Sequence, residues 1–89
     1  MKELNQEKSS KVIAWIKKAI DVNQKTEKSA NISLNEWNDV EVRLYENKEV
    51  KSDPILYELV SLYSEVDYEE EQKIEAIDSF FTLTLKQLK

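Results

Sequence analysis

The fold turns on one segment, Asp53-Pro54-Ile55-Leu56-Tyr57-Glu58-Leu59-Val60-Ser61-Leu62-Tyr63-Ser64-Glu65-Val66. It opens as a helix would, with Asp53 in the capping position and Pro54 at the first helical position, where its missing N–H is no loss. Its apolar residues, Ile55, Leu56, Leu59, Val60, Leu62, Tyr63 and Val66, cover much more than one stripe of a helical wheel. A helix so broadly apolar must be covered from two or three sides. This predicts a central helix over 54–66 with the rest of the chain packed around it.

Before this segment, the first helix is expected over about 5–26. Ile13, Ile16 and Ile20 form an apolar stripe that Val12, Trp15 and Ala19 widen. Lys8, Lys11, Lys17, Lys18 and Lys25 fall mostly on the other side, as a solvated face. A second helix is expected over 34–46. Ser33 and Glu36 have the spacing of a capping box, and Ile32 and Trp37 that of a hydrophobic staple. Leu34, Trp37, Val40 and Leu44 make its buried stripe; Val42 and Tyr45 fall off it. Asn47 is placed as its C-terminal cap. A last helix over 68–88 is capped by Asp67 and carries Ile74, Ile77, Phe81, Leu85 and Leu88, with Phe80 and Phe81 as core anchors. Short connectors make neighbours antiparallel. The expected fold is all-α, a four-helix antiparallel bundle forming one domain over residues 1–89.

Composition narrows function by exclusion. The chain has no Cys, no His and no Gly. Disulfides, thiolate nucleophiles, Cys/His zinc sites, imidazole acid–base chemistry and glycine-rich phosphate loops are all ruled out. The acidic runs lack the spacing of a calcium loop, and a di-iron bundle needs histidines. The expectation is therefore no enzyme: no catalytic residues, no cofactor and no metal. No apolar run is long enough for a membrane span, and the first residues lack a signal peptide's apolar core, so a cytoplasmic location is expected.

The net charge of −5 is unevenly spread. Residues 1–30 are net basic by three, whereas residues 58–89 hold eight acids against three lysines. Such a C-terminal half repels nucleic acid and attracts basic proteins. The densest acidic patch is Glu65, Asp67, Glu69, Glu70 and Glu71, with Tyr68 among them. Carboxylates beside an exposed Tyr suit a face that binds Lys and Arg. These six residues are the candidate partner-binding site.

Two stretches, Ile32–Val50 and Ile55–Tyr68, followed by a last amphipathic segment, resemble the small immunity proteins of the colicin D and contact-dependent-inhibition type. The similarity spans roughly residues 32–88 and is carried by the acidic run Leu62-Tyr63-Ser64-Glu65-Val66-Asp67-Tyr68. It implies an acidic helical protein that caps the active site of a tRNA-cleaving toxin domain. Immunity to a pore-forming bacteriocin is a related possibility. The function expected is neutralisation of a basic toxin or nuclease. The alternative is a phage- or plasmid-type structural or regulatory adaptor that dimerises or binds a partner helix, with Val42 and Tyr45 as its support.

Overall fold

The central stretch is not a helix. In the computed structural model, which describes residues 4–49, 53–63 and 67–87, Leu56–Ser61 is a β-strand, and the capping-box region is a strand and a hairpin turn. The element order is α1 (Gln6–Lys25), β1 (Ser29–Leu34), β2 (Asp39–Tyr45), β3 (Leu56–Ser61) and α2 (Tyr68–Lys86). The three strands form an antiparallel meander in the order β1-β2-β3. The all-α four-helix bundle is thus corrected to a two-layer fold, in which two helices cover one face of a small sheet.

The physical reason is visible in β2. Val40, Val42 and Leu44 are fully buried and alternate with half-buried Glu41, Arg43 and Tyr45. A period of two belongs to a strand with one buried face. The register places Ala30, Ile32 and Leu34 of β1 opposite Leu44, Val42 and Val40. Leu56 and Val60 of β3 stand opposite Leu44 and Val40. The expected capping box is not formed. Ser33 lies inside β1, where its hydroxyl donates to Glu41 at 3.4 Å. Glu36 and Trp37 lie in the β1–β2 turn, and Trp37 is 69% exposed rather than stapled. Asn35 builds this turn. Its side-chain oxygen accepts from the N–H groups of Trp37 and Asp39, both at 2.9 Å. Asn38 takes the left-handed conformation, φ 61°, that a glycine-free chain must find elsewhere.

The first and last helices lie close to where their periodicity places them. Asn5 caps α1 and Asp67 caps α2, each side chain accepting the N–H three residues on, from Lys8 at 3.1 Å and from Glu70 at 2.8 Å. The core joins Val12, Trp15, Ala19 and Val22 of α1 to Ile77 and Phe81 of α2 and to the inner face of the sheet. Phe81 is fully buried, and Phe80 meets it edge-on with ring centroids 5.7 Å apart. Polar contacts clasp the two helices together. The Trp15 indole N–H donates to Asp78 at 2.7 Å, Lys11 pairs with the same carboxylate at 2.8 Å, and Lys8 pairs with Glu70.

Two expectations about α1 are revised. Lys8, assigned to the solvated face, is 3% exposed. The isoleucine stripe is not core: Ile13, Ile16 and Ile20 are 56%, 44% and 52% exposed. The buried line is Lys8, Val12, Trp15, Ala19 and Val22, rotated away from the isoleucines.

Candidate functional site

The acidic patch expected to bind a partner is divided by the fold. Glu65 lies outside the described residues. Asp67 is the cap of α2, and Glu70 turns inward to Lys8. Tyr68 is 74% exposed, and Glu69 and Glu71 are exposed beside it. Half of the described acids there therefore serve the fold, and three residues remain as an open surface.

A larger candidate arises from the two edges of the sheet. In the β1–β2 ladder, Asn35 N–H donates to Asp39 O at 3.0 Å. Alternation along an antiparallel pair then turns the backbone groups of Ser33, Asn31 and Ser29 toward β2, and those of Ala30, Ile32 and Leu34 outward. Asn23 of α1 meets Ala30 on that outward side. Its amide donates to Ala30 O at 3.0 Å and accepts from Ala30 N–H at 2.8 Å, as a neighbouring strand would. Beyond Asn23, among the described residues, no hydrogen bond reaches the outward N–H and C=O groups of Ile32 and Leu34.

The path of α1 explains the opening. Its N-terminal end is tied to the far side of the sheet, where Asn5 N–H donates to Leu62 O at 2.8 Å and Lys8 donates to Ser61 O at 2.9 Å. Its C-terminal end reaches Ala30 through Asn23. The helix thus runs diagonally and parts from β1 toward Leu34. The wedge left between them is an apolar groove of about 350 Å³, lined by Val12, Ile13, Ile16, Ile32, Leu34 and Leu62 among others. Leu34, 60% exposed, forms its outer lip. Exposed apolar side chains next to unsatisfied strand groups are the composition of a strand-addition site.

The rest of the described surface offers less. On the outer face of the sheet Arg43 stacks over Tyr57 at 5.0 Å and pairs with Glu41 at 3.3 Å, so its polar groups satisfy one another. A second cavity, of about 290 Å³, lies between Thr26, Lys28, Glu46, Thr84 and Gln87. Among the described residues no group of three or more metal-ligating side chains gathers. No described helix is long and apolar enough to cross a membrane.

Sequence reasoning missed Ile32 and Leu34 as site residues because it placed them at the capped start of a helix over 34–46, and Asn23 because it fell in the first helix over about 5–26. The available signal was the period-two run of Ala30, Ile32 and Leu34, which contains no charged residue. Comparison of the chain with protein-family models, with curated proteins and with solved structures finds no match.

Proposed function

We propose that this chain is a protein-interaction module of the adaptor kind, which takes up an extended segment of another polypeptide along β1. The observation that carries this reading is the pairing of the open Ile32 and Leu34 backbone groups with the adjacent isoleucine-lined groove. Backbone hydrogen bonds would supply the general affinity, and alternate side chains entering the groove would supply selectivity. Burying half-exposed isoleucines adds about 1 kcal/mol each.

The test is selection of binders from a random peptide library, followed by titration into isotope-labelled protein. Peptides with apolar residues at every second position are expected, shifting the amides of Ile32, Ser33 and Leu34. Leu34→Pro removes an outward N–H while leaving the β1–β2 ladder intact, and should abolish binding. Binders that tolerate this substitution and shift only α2 would sink the proposal.

A second reading keeps the inhibitor function, with a basic toxin or nuclease domain as partner. The exposed Tyr68 flanked by Glu69 and Glu71 favours it. On this reading, replacing all three by Ala weakens a cognate basic domain at least tenfold, and Leu34→Pro has no effect.

A further inference from the structure

We infer that the occupant of the β1 edge is a second copy of this chain, giving a two-fold dimer with a continuous six-stranded sheet. This rests on the strand-addition reading and names its partner. The outward groups left open are those of Ile32 and Leu34, centred on Ser33. An antiparallel partner related by a two-fold axis at Ser33 sets Ile32 against Leu34 of the other copy, and Leu34 against its Ile32. Each of these pairs exchanges two hydrogen bonds, so four form in all and both open stretches are used. The next outward residue, Ala30, is already held by Asn23. Asn23 therefore stops the pairing at the length that the two-fold arrangement needs.

The side chains agree with this register. β1 carries no charge from Ser29 to Leu34, so its edge meets its own copy without repulsion. The two-fold axis sets the two α1 helices antiparallel, side by side, with Ile13, Ile16 and Ile20 of one facing the same stripe of the other. Because α1 parts from β1 toward Leu34, the groove of each copy faces the isoleucines of its partner. The three paired residues extend ~10 Å. A stable specific interface needs about 800 Å² per protomer, so the helical stripe beside the paired strands supplies most of it. Tyr68, Glu69 and Glu71, on the helix that packs toward β3, remain uncovered in this dimer.

The chain contains no cysteine, which allows a direct test. Ser33 sits on the axis in a non-hydrogen-bonded pair, where opposed Cα atoms lie about 4.5 Å apart, within reach of a disulfide. Ser33→Cys should form a covalent dimer under mild oxidation. Asn31→Cys should not, since its two copies are then roughly 13 Å apart. Sedimentation equilibrium of the unmodified chain should give twice 10.5 kDa. The double variant Ile13→Glu, Ile16→Glu, whose side chains are already exposed, should fold with an unchanged circular dichroism spectrum and sediment as a monomer. Equal cross-linking at positions 31 and 33 overturns the register. A monomer at millimolar concentration overturns the dimer. If that monomer still binds library peptides at Ile32 and Leu34, the strand-addition reading survives; if it binds none there, both fall.

Discussion

The two edges of the sheet are finished differently. On β3 two outward carbonyls are met by lysines: Lys8 donates to Ser61 O at 2.9 Å, and Lys73 approaches Leu59 O at 3.5 Å. On β1 a neutral side chain, Asn23, closes one end, and the remainder faces an apolar groove. A positive charge over an edge carbonyl satisfies the acceptor and discourages another strand from pairing there. An amide that copies a strand's own hydrogen bonds, followed by open groups and exposed isoleucines, does the reverse. One edge thus carries lysines over two of its carbonyls, and the other carries an amide at one end beside an apolar groove; α1 supplies Lys8 to the first and Asn23 to the second.

This contrast can be broken most forcefully at Lys8. Lys8→Ala removes the cation from a buried pair and leaves Glu70 without it. Loss of one partner of such a pair costs about 3 kcal/mol or more, which lowers the melting temperature of a domain this size by roughly 15 °C. Thermal unfolding followed by circular dichroism measures it. A drop of only a few degrees would mean that the lysine guards the edge without supporting the fold.

Asn23→Ala comes next. It deletes two hydrogen bonds to Ala30 at a net cost of about 1–2 kcal/mol, read by unfolding in urea. It also extends the open edge by one residue. Amide exchange at Ala30 should accelerate, and aggregation should rise with concentration. If the variant is less stable yet no stickier, the amide cap has no part in limiting pairing.

Leu34→Pro acts on the β1 edge in the opposite sense. The residue is exposed and its N–H points away from the ladder, so the stability change should stay below about 1 kcal/mol. Association along β1 should nevertheless disappear. The smallest effect belongs to Lys73→Ala. Its contact is long and solvent-exposed, and an exposed charge of this kind contributes about 0.5 kcal/mol or less. An effect as large as that of Lys8→Ala would show that the two lysines guard β3 together.

How much of this was legible in the residues differs from one part of the chain to another. The last helix was readable because its cap and its 3.6-residue period agree: Asp67 bonds the N–H of Glu70, and Ile77 and Phe81 are buried. The same reading failed over 32–46, where two local signals competed. Ser33 and Glu36 imitate a capping box, worth about 1 kcal/mol, while Val40, Val42 and Leu44 alternate. The alternation won because it buries three side chains completely, and burial outweighs a cap. Val42, which fell off the expected helical stripe, was the residue that signalled the strand. The acidic patch was legible as charge but not as a site, since nothing in the residues distinguishes Glu70, held by a buried lysine, from its exposed neighbours Glu69 and Glu71.

The two flanking helices, the lack of cysteine, histidine and glycine, and the acidic C-terminal half can be read from the residues alone. These depend on composition and on contacts within a few residues. Tertiary packing was needed to make a strand of Leu56–Ser61, to bury Lys8, to leave the isoleucines of α1 outside the core, and to leave the outward groups of Ile32 and Leu34 open. Each of those outcomes depends on groups that are far apart in the chain — Lys8 and Ser61, Asn5 and Leu62, Val40 and Val60 — and on the angle at which α1 crosses the sheet. Local periodicity carries no information about that angle.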